Sequence, residues 1–154
     1  MEDQKPIRRD QSLQPFSRDH HHSLLLCWKI RKGFSKGVEV LRIKRYADWF
    51  FANHIEPHFR EEEQHIFPIL GTDNELVKKA IGEHRKLSRL FRDQKEVEKS
   101  LSLIEETLDS HIRFEERVLF NEVQKKATPR QLEVVSSLHA ETKFRDNTED
   151  EFWK

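Results

Sequence analysis

At 154 residues the chain has room for one domain with a proper core, not for two. Its 28 basic residues balance 28 acidic ones, so no net field draws it to nucleic acid or an anionic membrane. A single cysteine, Cys27, excludes an internal disulfide, and no apolar run approaches the roughly 20 residues of a membrane-spanning helix.

The acidic, proline-containing N-terminus has no secretory apolar segment, and a reducing, cytoplasmic location is the expectation. Four glycines and 36% charged residues, without the β-branched alternation of strands, specify an all-α protein with heavily solvated faces. Residues 1–15 read as an irregular arm. Ser17 is a suitable N-cap for a first helix, with Asp19 in its first turn, running to about Lys32 before Gly33 and Gly37. A second helix spans about Val38 to Leu70 and stops at Gly71; Pro57 should kink or break it. Thr72 with Glu75 suggests a capping box for a third helix to about Arg92, and Asp93 with Glu96 a similar start for a fourth to about Lys126. Thr128-Pro129-Arg130-Gln131 opens a short fifth helix, with proline at its favoured first position. The tail ends in Phe152 and Trp153, which are expected to dock on the body. The expected architecture is an up-and-down four-helix bundle over residues 16–126, flanked by the arm and by a short helix and tail over 127–154.

The stretch HIEPHFREEEQHIFPIL, residues 54–70, places imidazoles and carboxylates where leucines belong. On a regular helix, a residue four positions on lies about 40° around the axis. The second-helix seam then reads Phe51, Ile55, His58, Glu62, Ile66, Ile69, and the fourth-helix seam Leu101, Ile104, Leu108, His111, Glu115, Val118, Glu122. Each carries a His and, four residues later, a Glu inside an apolar stripe. The third helix adds His84 among Val77, Ile81, Ser88 and Phe91, and the first adds His21 with Leu24, Leu25 and Trp28. A buried carboxylate without a counter-charge costs several kcal/mol, and these seams contain no Lys or Arg. A pair of metal ions with bridging carboxylates is the simplest partner for imidazole and carboxylate donors. One inward histidine alone is more often a core residue, but the repeated HxxxE pair shifts the reading to metal.

At HFREEEQHIFP and HIRFEERVLF, supported by the DHHH of the first helix and the EHRKL of the third, the sequence resembles the hemerythrin-like (HHE cation-binding) family over about residues 16–126. The resemblance implies a four-helix bundle holding two non-haem iron ions with an oxo or hydroxo bridge, or another divalent metal such as zinc or manganese. It implies the ligands His58, Glu62, His84, His111 and Glu115, with His21 favoured on the first helix and His20 second. Glu116 is the alternative to Glu115, disfavoured because it lies about 140° from His111 on a regular helix. Ser88 stands where respiratory hemerythrins have a second histidine on the third helix, so one ligand position is open. His54 is a candidate replacement.

The implied function is binding or sensing of O2, NO or peroxide at an open iron position. The alternatives are a di-iron stress enzyme that reduces peroxide or NO or donates iron, and a structural zinc-binding or metal-free interaction bundle. Iron donation ranks lower, because the N-terminal cysteine segment usual in repair proteins of the family is not seen here. The expected partner is a small ligand, with no nucleic acid and no membrane. Glu61, Glu83 and Glu116 are candidate acceptors for the outward ring nitrogens. Glu63 and His65 are expected in solvent or around the ligands, His139 on the surface, Tyr46 and Trp49 in packing, and Cys27 as a small hydrophobe.

Overall fold

The structure, a computed structural model, describes residues 8–138 and 144–154. All regular structure among them is helical, and His139 lies outside the described residues. Helix α1 spans Gln14–Ser35. Its start precedes the expected Ser17, whose hydroxyl instead reaches the Glu116 carboxylate at 2.8 Å. The chain turns at Gly37, where φ is +69°, a value that favours glycine. Gly33 does not end the helix but permits contact: a Cβ there would lie 2.7 Å from Ile43 Cδ1 and 2.8 Å from Phe152 Cε1.

Helix α2 covers residues 40–70 without a break, so Pro57 does not interrupt it. Two π turns are set into it, Phe51–Ile55 and Glu62–Ile66. Pro57 follows the first and Pro68 the second, each at the start of the next α segment, where a missing N–H costs least. Helix α3, Glu75–Arg92, is capped by Asn74, which accepts from the amides of Leu76 and Val77, rather than by Thr72. Asp93 ties the next turn by accepting from the amides of Lys95 and Glu96 and from Ser100 Oγ. Helix α4 covers residues 97–126 with a third π turn at Glu115–Leu119. Thr128 and Gln131 then form a reciprocal capping box for α5, Pro129–Leu138.

Two apolar cores result. One is built around Leu26, Ile30, Phe50, Phe59, Leu87, Leu108 and Ile112, the other around Phe16, Ile66, Phe67, Val77, Leu119 and Phe120. The tail joins the first core through Phe152 and Trp153, as expected. Buried Lys29 secures it: its Nζ donates to Asp146 at 2.6 Å and to the Tyr46 hydroxyl at 2.8 Å, and lies 4.0 Å from the Trp153 ring centroid. Between the two cores lies a layer of six buried polar side chains.

Candidate metal centre

Those six are His20, His58, Glu62, His84, His111 and Glu115, and all are at most 6% exposed. Five are the residues the sequence pointed to. The first-helix residue is corrected: His21 is exposed, and His20 stands in the cluster instead. The buried face of α1 runs Phe16, His20, Ser23, Cys27, Ile30, whereas Leu25 and Trp28, which suggested His21, are 39% and 45% exposed.

The π turns place the two carboxylates. In α4 the Phe120 amide bonds to the Glu115 carbonyl, five residues back, and in α2 the Phe67 amide bonds to that of Glu62. Each turn adds one residue to the repeat, so the buried seam slips beyond each glutamate. Val118 is therefore 37% exposed and Leu119 fully buried, and Leu70 takes the inward place expected of Ile69. Glu115 and Glu62 remain inward, both at 0% exposure.

Two groups of four donors share the two glutamates: His20, His58, Glu62 and Glu115, and Glu62, His84, His111 and Glu115. Within each, the donor atoms lie within 4.8 Å of one another. His20 Nε2 is 2.9 Å from Glu115 Oε1 and 3.1 Å from His58 Nε2. His84 Nε2 is 3.2 Å from Glu62 Oε1, and His111 Nε2 3.4 Å from Glu115 Oε1, yet both ring nitrogens and both Glu62 oxygens lack hydrogen-bond partners.

The outward nitrogens explain why. Each Nδ1 faces a carboxylate: His58 to Asp19 at 3.0 Å, His84 to Glu63 at 2.9 Å, His111 to Glu83 at 2.7 Å and His20 to Glu116 at 3.1 Å. The contacts form a ring in which an acid on each helix holds the imidazole of the next, and α4 closes the circle onto α1. A carboxylate only accepts, so each ring carries its proton on Nδ1 and turns a bare Nε2 inward. Six acceptor groups then face one another with no donor among them, an arrangement that needs a cation at its centre.

Without a metal the cluster takes protons. Burial lowers the proton affinity of His111, but the Glu115 charge outweighs it and raises its pKa to about 9. Burial likewise opposes protonation of His58 and His84, yet Glu62 raises the first well above its usual range, and Glu115 with Glu62 the second. Glu115 is held well below the ordinary carboxylate range, the charge of His111 and the hydrogen bond from His20 overcoming burial.

The remaining candidates stand elsewhere. His54 packs among Trp49, Phe50 and Phe144, away from the donors. Cys27 lies in the first core, its thiol pushed up to about 12 by burial, which makes it inert. Tyr46 packs against Phe152 and Trp153. His65 is half-buried on α2. Of the expected outer acids, Glu83 and Glu116 hold imidazoles of the cluster; Glu63 fills the third place and Asp19 the fourth. A signal for these existed. An acid directly precedes the histidine in Asp19-His20 and Glu83-His84, and a second glutamate directly follows in Glu62-Glu63 and Glu115-Glu116. The doublets also favour His20 over His21.

Fold and site together define an all-α protein whose interior holds two groups of residues that could each bind a metal ion. Residues 13–120 match the hemerythrin HHE cation binding domain, and the chain belongs to that family. No curated protein and no solved structure matches it significantly. No helix among the described residues is long and apolar enough to cross a membrane.

Proposed function

We propose that this protein is an up-and-down four-helix bundle that holds two iron ions and binds or senses a small ligand, O2, NO or peroxide, at them. The alternating order of the cores supports the topology: α1 and α3 run from the Phe16 core toward the Leu26 core, and α2 and α4 run back. His20 and His58 would hold one ion, His84 and His111 the other, and Glu62 and Glu115 would bridge both. The observation that carries the reading is the set of inward acceptors without a donor, among them both Glu62 oxygens and the Nε2 atoms of His84 and His111.

Imidazole and carboxylate donors suit iron, and four protein donors per ion leave coordination positions for an exchangeable ligand. When bound, the irons supply redox chemistry and those open positions. The protein's own part is to hold each Nε2 unprotonated and aimed, through the outer acids, and to limit water. Phe59 does the latter by stacking on His84 at 3.7 Å, while Phe16 packs against His58 at 5.6 Å.

The test is elemental analysis of protein purified without added metal, with absorption spectra before and after azide or NO. Two irons per chain and a near-ultraviolet and visible spectrum that responds to ligand are expected. A colourless protein with stoichiometric zinc would remove the redox reading.

A further inference from the structure

The arm ahead of α1 makes a contact that packing alone does not call for. Arg9 Nη2 donates to the Glu116 carbonyl at 2.6 Å, and its Nη1 to Gln124 Oε1 at 2.7 Å and Asn121 Oδ1 at 3.3 Å. The Asp10 amide also donates to Gln124 Oε1, and Gln124 Nε2 returns a bond to the Arg8 carbonyl. In a regular α-helix the Phe120 amide would serve the Glu116 carbonyl; in the π turn it bonds to Glu115 instead. Arg9 thus occupies the carbonyl that the π turn releases.

Two routes lead from Arg9 to His20. The Glu116 carboxylate receives His20 Nδ1 and is steadied by Ser17 Oγ at 2.8 and 2.9 Å. The Arg9 guanidinium also lies 5.4 Å from the Phe120 ring, which stacks on the His20 imidazole at 5.3 Å and 17°. A planar fork that bonds a carbonyl while covering an aromatic face suits arginine and not lysine.

We propose that Arg9 is a positioning residue for one half of the centre: by fixing the π turn of α4 it sets Glu116 and Phe120, and through them the orientation of His20. The proposal rests on the metal reading above. It assigns the arm a role in equalising two ion sites that are otherwise built alike.

The experiment titrates the metal-free full chain with cobalt(II), read by its visible ligand-field bands, for wild type, Arg9→Ala and His20→Ala, with circular dichroism to check the fold. Wild type should take two ions. Arg9→Ala should keep its helix content, bind one ion as wild type does and bind the other about 10–100-fold more weakly, as loss of an orienting partner does. His20→Ala should impair the same step more severely. Hydrogen exchange in the metal-free protein should also quicken at amides 116–121 in Arg9→Ala. Two affinities unchanged from wild type, or both weakened equally, would overturn the role of Arg9 while leaving the metal reading intact. A wild type that binds fewer than two cobalt ions would overturn the metal reading and this proposal with it.

Discussion

Replacing Glu115 with glutamine keeps the volume of a fully buried side chain but exchanges one acceptor oxygen for an NH2 group. That group cannot bridge, and it would point a donor at a site meant for cations. A four-donor structural metal site contributes on the order of 10–16 kcal/mol, so one donor corresponds to about 3 kcal/mol, a hundredfold or more in affinity. Because Glu115 belongs to both donor groups, both ions suffer the loss. Glu116→Gln disturbs only the acid behind His20 and should weaken one ion by about 10–100-fold. At free metal 100 times the wild-type dissociation constant, each ion stabilises the fold by about 2.7 kcal/mol, falling to about 0.4 when affinity drops a hundredfold. For a chain of this size that difference is roughly 5–10 °C in Tm per ion. Metal content after dialysis and the rise in Tm on adding metal measure both effects. If Glu115→Gln retains two ions and the wild-type rise in Tm, the bridging role and the donor-free cluster behind it are refuted.

Three further outcomes are expected. Stability should respond to pH with opposite slopes in the two forms. In the metal-free protein, His111 has a folded pKa of about 9 against an ordinary 6.5, so its contribution is complete below pH 6.5 and lost as pH rises through 9. Glu115 is depressed from 4.5, so its contribution is present above that pH and lost below it, which places maximal stability between about 4.5 and 6.5. The metal-loaded protein should hold its stability at pH 8 and shed metal toward pH 5, because protons compete for Nε2; parallel Tm curves with and without a chelator would contradict this. His21→Ala and His54→Gln should both keep full metal content, since neither side chain faces the donors, and loss of an ion in either would reopen the ligand assignment. Lys29→Ala should destabilise the fold by about 1–3 kcal/mol in urea unfolding, through a lost buried charge partner for Asp146 and a lost contact with Trp153, with metal content unchanged.

The sequence alone determined that the chain is helical, that each long helix buries a histidine, and that two of them bury a glutamate four residues later. These follow from local facts: few glycines, apolar residues at helical spacing, and charged groups inside that spacing whose burial demands a partner. Even the doublets that encode the outer acids are in the sequence, although Asp19 read there only as a first-turn acid. What it did not determine was register. A regular 3.6-residue repeat carries the fourth-helix seam from Glu115 to Val118, while the π turn carries it to Leu119. On α1, three adjacent histidines differ only by steps of about 100°, and the apolar residues beyond them permit more than one stripe. His20 faces inward because α1, packed against α4, buries the face that carries Phe16, Cys27 and Ile30 and leaves Leu25 and Trp28 outside. Which acid meets which imidazole, and that Arg9 reaches the carbonyl of a residue 107 positions away, depends on how neighbouring helices are set against one another. Those choices belong to tertiary packing, because a local pattern fixes which residues share a face but not the rotation of that face toward its neighbours.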